Sequence, residues 1–183
     1  PSGRSIQKSY KKGYEAYGDE LGGRYASGEL QHADSIKQDT VQYKTKAGRI
    51  VYGGGGIKPD VFVPLDTSDF SAFYALAVGT GAVNEFAYNY ADRHRAELRK
   101  YADFEDFNKR FAITDVEYNN LVSIVFAANP KVKGVKGMAV SSKLIKLQLK
   151  ALISRQQWKE YGYYKVMQQR DGILARAVAL LKE

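Results

Sequence analysis

The spacing of apolar residues changes character about a third of the way along the chain. From Val41 to Tyr52, the β-prone runs Val-Gln-Tyr-Lys-Thr and Ile-Val-Tyr flank Lys46-Ala47-Gly48-Arg49. Two such runs around a short turn with glycine near its end predict a hairpin. The glycines Gly53 to Gly56 follow, and Val61-Phe62-Val63, closed by Pro64, reads as a third short strand. The stretch from Tyr10 to Lys37 is polar and tyrosine-rich, and is expected to be an excursion with one or two short helices.

Beyond Asp66-Thr67-Ser68 the period becomes helical. Val83, Phe86, Tyr90, His94, Leu98 and Tyr101 fall at spacings of 3, 4, 4, 4 and 3, which predicts one face of a long amphipathic helix. The best-specified helix start is Ile113-Thr114-Asp115-Val116-Glu117-Tyr118. Thr114 as N-cap and Glu117 three residues later form a capping box, with Ile113 and Tyr118 as the hydrophobic staple around it. That helix is expected to end near Asn129-Pro130. Lys131 to Gly137 has no periodicity and reads as a loop. A helix over about 141 to 158 carries Leu144, Ile145, Leu149, Leu152 and Ile153, and a last one covers about Ile173 to Leu181. The fold class is therefore α+β and predominantly α. A small strand and hairpin region over 1–66 precedes a C-terminal helical bundle over 67–183.

Charge sharpens this division. The formal net charge of the 183 residues is +8, but residues 1 to 130 hold 16 Lys and Arg against 17 Asp and Glu, whereas residues 131 to 183 hold 12 against 3. A basic segment of this kind attracts nucleic acid, anionic lipid or an acidic protein surface. The helix over 141 to 158 is expected to bury its apolar face against the helix carrying Phe86 and Tyr90, leaving Lys143, Lys146, Lys150 and Lys159 in solvent. No apolar run approaches the ~20 residues needed to cross a bilayer as a helix. With no cysteine and two histidines, His32 and His94, thiolate chemistry is excluded and little remains for an imidazole metal cage. The chain opens Pro1-Ser2-Gly3 and its first Met is Met138, so a longer parent polypeptide is expected.

Few residues carry a chemical signal. The glycines at Gly53 to Gly56 lack the Gly-Lys-Ser/Thr helix start of a phosphate loop, and Lys58 stands where a dinucleotide fingerprint needs its third glycine. They read as a turn in which backbones approach closely. His94 lies on an apolar stripe without a second ligand at i+4 and reads as a core or boundary histidine. Ser141, Ser142 and Lys143 begin a helix, where Ser is a preferred cap. Tyrosines interleave with Lys near Tyr10 to Tyr17 and Tyr161 to Lys165, as on a single-strand platform, but without the surrounding pattern of such a fold they read as packing rings.

Pro1-Ser2-Gly3-Arg4-Ser5-Ile6-Gln7 and the block from Tyr52-Gly53-Gly54-Gly55-Gly56-Ile57 through Lys58-Pro59-Asp60-Val61-Phe62-Val63-Pro64 resemble two landmarks of the C-terminal-processing, or tail-specific, serine peptidases. The helical remainder resembles the tail of Bacteroidetes-type members. The resemblance implies proteolysis by a serine nucleophile with a lysine as general base, a lysine that must be desolvated to be neutral. It places both residues, and the PDZ module that captures substrate C-termini, upstream of Pro1. Ser5 and Gln7 are not that motif, and Arg4 cannot act as a base. No catalytic, cofactor-binding or metal-binding residue is assigned to this chain, and no cofactor. The implied partners are the upstream peptidase core and PDZ module and the parent's protein or peptide substrates, in the cell envelope or periplasm. In the family Pro1 to Tyr10 would be a strand within a larger sheet, so here it is expected to be disordered, or paired with the hairpin or with another copy. No nucleic-acid partner is expected on this reading, and a membrane surface remains open. The other reading is a stand-alone helical binding module whose basic face meets nucleic acid or an anionic membrane.

Overall fold

The structure, a computed structural model, describes residues 3–7, 13–32, 41–53, 57, 59–130 and 134–182. It is predominantly helical with one small antiparallel sheet, and it divides into two compact units, Pro1–Asp66 and Thr67–Glu183.

In the first unit, α1 (Tyr14–Gly18) and α2 (Glu20–Ala26) precede β1 (Gln42–Lys44) and β2 (Ile50–Tyr52). The hairpin has the register Gln42 to Tyr52, Tyr43 to Val51 and Lys44 to Ile50. Its turn is closed by Gly48 N–H donating to the Thr45 carbonyl at 2.9 Å. Val61 to Val63 form no strand: among the described residues the sheet has two members. This segment is held instead by its ends, where Arg49 pairs with Asp60 and Leu65 N–H donates to the Leu30 carbonyl at 2.9 Å. Residues 3–7 are likewise not a strand, and the rest of Pro1 to Tyr10 lies outside the described residues. Gly53 is buried at the end of β2, where a Cβ would stand 2.7 Å from the Tyr43 ring and 3.6 Å from the Ser5 carbonyl oxygen. Close approach therefore explains the first glycine of the run; Gly54 to Gly56 and Lys58 are outside the described residues.

The second unit is built from α3 (Ala72–Gly79), α4 (Ala82–Arg93), α5 (Arg95–Leu98), α6 (Phe104–Arg110), α7 (Asp115–Ala128), α8 (Met138–Met167) and α9 (Gly172–Leu180). Its starts are marked by short polar side chains that accept from backbone amides the helix leaves free. Ser71 accepts from Tyr74 at the head of α3, Asp103 from Asp106 at α6, and Asp171 from Leu174 at α9. The capping box of Thr114 and Glu117 is complete, and both staple residues, Ile113 and Tyr118, are buried.

The core is organised around α8, whose most extensive packing is against α4. The residues of α4 that reach the interior are Ala82, Val83, Ala87 and Ala91, small side chains that let the two helices approach closely. Ile145, Leu149 and Ile153 of α8 fill the space opposite, together with Phe73, Leu121 and Val125. Each large apolar side chain fully buried in this way contributes about 1.5–3 kcal/mol.

Three expectations about these helices need correction. First, the stripe from Val83 to Tyr101 is not one helix: α4 ends at Arg93, and His94 takes φ −104°, ψ 23°. The Tyr90 carbonyl accepts from both the amide and Nδ1 of His94, each at 3.0 Å. A side chain that competes for its own backbone's acceptor favours such a break, and α5 then turns Leu98 into the core. Second, the helix over 141 to 158 extends from Met138 to Met167. Ser141 does not cap it: Gly137 occupies the cap position, and Ser141 is wholly buried. Third, Lys146 and Lys150 do not stand in solvent. Lys146 pairs with Asp115 at 2.7 Å, and Lys150 Nζ donates to the Asn108 carbonyl at 2.6 Å. Lys143 and Lys159 are exposed as expected. The periodicity identifies a polar position but not the neighbouring helix that a four-carbon side chain can reach.

Within α8, Lys159 sits at φ 54°, ψ −147° and kinks the helix, a region that costs a side-chain-bearing residue about 1–3 kcal/mol. Lys159→Gly is therefore expected to raise the unfolding midpoint, by an amount equivalent to about 1 kcal/mol, while Lys159→Ala leaves it nearly unchanged. Thermal melts of the two variants compare them directly, and equal midpoints would show that the kink stores no strain.

Candidate functional site

The helical unit carries a concavity between α4 and α7. It is a cleft of about 530 Å³, within the range of small-ligand and side-chain pockets. One wall is Ala82, Phe86 and Tyr90 of α4 with His94 at its C-terminal cap, and Glu85, Asn89 and Arg93 beside them. The other is Glu117, Asn120, Ser123 and Ile124 of α7. The four-residue spacing of the first row and the three- and four-residue spacing of the second place each set on one helix face.

The polar end of the cleft is a joined network. Glu117 Oε2 accepts from the Thr114 amide at 2.6 Å and from the Thr114 hydroxyl at 2.8 Å. The Tyr90 hydroxyl lies beside this carboxylate and favours its charged form. Burial pushes the Glu117 carboxyl up, but the Tyr90 hydroxyl and the bonds from Thr114, with His94 nearby, outweigh it and hold the carboxyl below its usual range. Burial pushes the Tyr90 phenol up, and the carboxylate partner adds to this because it favours the protonated phenol. The Tyr90 ring stacks on His94 with centroids 4.1 Å apart.

The polar groups at this end of the cleft are engaged with one another. The Glu117 carboxyl is held below its usual range and already accepts two hydrogen bonds from Thr114, so it is a poor general acid. The lowered pKa has a definite sign for stability. The contribution of the box is complete above the ordinary glutamate range and is lost as pH falls through the folded-state value. Thr114→Ala is expected to cost about 1 kcal/mol at pH 7 and less as acid protonates Glu117 and weakens the box in the parent chain. A urea-unfolding series from pH 7 into acid measures this, and a cost independent of pH would uncouple the cap from the Glu117 charge.

The residues singled out from the sequence are not gathered here, His94 excepted, which lines the cleft half-buried as a boundary histidine. The Ser141 hydroxyl donates to the Asp69 carbonyl at 2.7 Å, so it must accept from Ser71 Oγ, also at 2.7 Å, and Ser71 in turn accepts from the Tyr74 amide. Every proton in that chain is committed. Ser5 is exposed, and its hydroxyl faces the Gln7 carbonyl at 3.4 Å. Burial pushes the Lys150 ammonium down, but its partner is the Asn108 carbonyl, and its Nζ lies 5.9 Å from the centroid of the Phe107 ring. His32 lies in the first unit, exposed. Tyr161 and Tyr164 are exposed and Tyr163 half-buried. The Tyr163 and Tyr164 rings meet edge to face rather than forming a flat platform. Tyr10 and the side chain of Tyr17 lie outside the described residues. Among the described residues no group of three metal-ligating side chains comes together, and no helix is long and apolar enough to cross a membrane.

The pairing of Tyr90 with Glu117 escaped the sequence because its partners belong to different helices. Glu117 was legible only as a capping residue, and Tyr90 only as part of a stripe.

Residues 73–159 match the model of a family of unknown function, DUF8443. The match begins at the first buried residue of α3 and ends at the kink in α8, so it covers the α4–α8 core and both walls of the cleft and leaves α9 outside. No curated protein and no solved structure matches the chain.

Proposed function

We propose that this chain is the non-catalytic C-terminal part of a tail-specific serine endopeptidase, whose nucleophile and lysine base lie upstream of it. The observation that carries the reading is the block from Tyr52 to Pro64, preceded in order by Pro1 to Gln7. The chemistry of the described residues supports it. The hydroxyls of Ser5, Ser123 and Ser141 face backbone carbonyls, whereas a serine nucleophile needs a base within hydrogen-bond reach. Lys150, desolvated as a lysine base must be, spends its bond on the Asn108 carbonyl. The free basic face proposed for a stand-alone binding module is reduced by the engagement of Lys146 and Lys150.

The isolated chain is expected to hydrolyse no unstructured protein substrate. The native polypeptide captured by antibodies against residues 67–183 is expected to be longer and to cleave such substrates near their C-termini. A native polypeptide of 20.5 kDa without hydrolytic activity would sink the reading. So would cleavage by the isolated chain that disappears in Ser141→Ala.

A further inference from the structure

On the side of α4 away from the cleft, a groove follows its seam with α8. It has two hollows, of about 370 and 400 Å³, which share Tyr88 of α4 and Gln156 of α8. Ala91 floors the first and Ala87 the second, the same small residues that let the two helices approach. Tyr88 is 63% exposed, so a large ring stands in water where the hollows meet.

The charges lining the groove do not cancel. Arg95, Arg99, Arg155 and Lys159 stand against Asp92 and Glu160. Both carboxylates are taken, Asp92 by Arg95 at 2.7 Å and Glu160 by Arg155. Among the described residues Arg99, in the first hollow, and Lys159, in the second, are exposed and have no carboxylate within ion-pair reach. Lys159 is also the residue held at φ 54°, where the glycine that would relieve the backbone would remove the ammonium as well.

Two unopposed cations call for an anionic partner, and the remaining groups choose its class. A phosphodiester strand presents acceptors along its whole backbone, so Asp92 and Glu160 repel it and the carbonyl ends of Gln156 and Gln157 find no donor there. A polypeptide offers amide donors and carbonyl acceptors alternately, which glutamine side chains match with both ends, and needs acidic side chains only opposite Arg99 and Lys159. Tyrosine and arginine are also enriched where protein partners bind most strongly. We propose that the α4–α8 groove binds an acidic polypeptide segment, with carboxylates on Arg99 and Lys159 and the Tyr88 ring packed against the chain between them. This inference rests on the second unit alone and is independent of the peptidase reading.

The test uses the whole chain and a dye-labelled peptide of about eight residues, alternating Glu and Ser, followed by fluorescence anisotropy at about 20 mM salt, where charges are weakly screened. Saturable binding that weakens as salt rises is expected. Arg99→Gln and Lys159→Gly are each expected to weaken it about three- to fivefold, and Tyr88→Ala at least about fivefold. Lys143→Gln, exposed on α8 outside the groove, is expected to leave it unchanged. Lys159→Gly separates binding from folding, because the same change is expected to raise the unfolding midpoint. Absence of saturable binding would overturn the proposal, as would an equal loss in Lys143→Gln, which would reduce the effect to the chain's net charge. An oligothymidylate of equal charge that displaces the peptide and binds more tightly would also overturn it, assigning the groove to nucleic acid.

Discussion

Gly137→Ala is expected to destabilise the helical unit by about 2–6 kcal/mol, combining about 1–3 kcal/mol for a side chain forced into left-handed backbone with about 1–3 kcal/mol for overpacking. Gly137 stands at φ +101°, and a Cβ there would lie 2.3 Å from the Cβ and 2.6 Å from the hydroxyl of Ser71. Ser71 cannot yield freely. Its oxygen caps α3 through the Tyr74 amide and donates to the buried Ser141 hydroxyl, so displacing it strips the cap and leaves Ser141 short of a partner. The unfolding midpoint should fall by about 10–20 °C. Gly79→Ala is the control. It lies in α3 with nothing within 4 Å of the added Cβ and no left-handed φ, and is expected to leave the midpoint unchanged or raise it slightly. If calorimetry shows both variants melting like the parent, α3 and the start of α8 are not joined as described.

Phe107→Ala is expected to cost about 3–5 kcal/mol, the usual range for emptying an aromatic site in a core. Phe107 is wholly buried. Its ring stacks on Phe111 at 4.6 Å, meets Tyr101 edge to face at 5.3 Å and lies 5.0 Å from Trp158. It therefore joins α6 and the segment after it to α8, and its loss opens a cavity among rigid rings that collapse poorly. Trp158, the sole tryptophan, reports the change. Urea unfolding followed by its fluorescence should show a lower midpoint, and Phe107→Leu should recover most of the loss. A fluorescence shift without any change in midpoint would mean that the ring cluster is peripheral to cooperative unfolding.

These two sites differ in how far the sequence announces them. Phe107 could be recognised as apolar, but its periodicity did not say that it joins the rings of Tyr101, Phe111 and Trp158. Gly137 ended an aperiodic stretch and read as part of a loop; only the approach of Ser71, far away along the chain, makes its lack of a side chain indispensable. The hairpin and the capping box were legible because their partners lie within about ten residues of each other, so local spacing alone fixes which groups can meet. The third strand, Val61 to Val63, failed for the complementary reason. A run of β-branched and aromatic residues has strand propensity, but a strand exists only where a neighbour pairs with it.

By itself the sequence determined the predominantly helical class, the small hairpin between Val41 and Tyr52 and the start of α7. It also determined that thiolate chemistry is absent. Each of these follows from residue identity or from contacts within one or two turns of chain. Tertiary structure decided where α4 breaks, how long α8 runs and why Ser141 is a buried strut rather than a cap. It also decided that Lys146 and Lys150 are engaged and that Tyr90 and Glu117 share a cleft. All of these depend on which distant surfaces are pressed together. The geometry of a side chain's own helix restricts its direction but not what it meets.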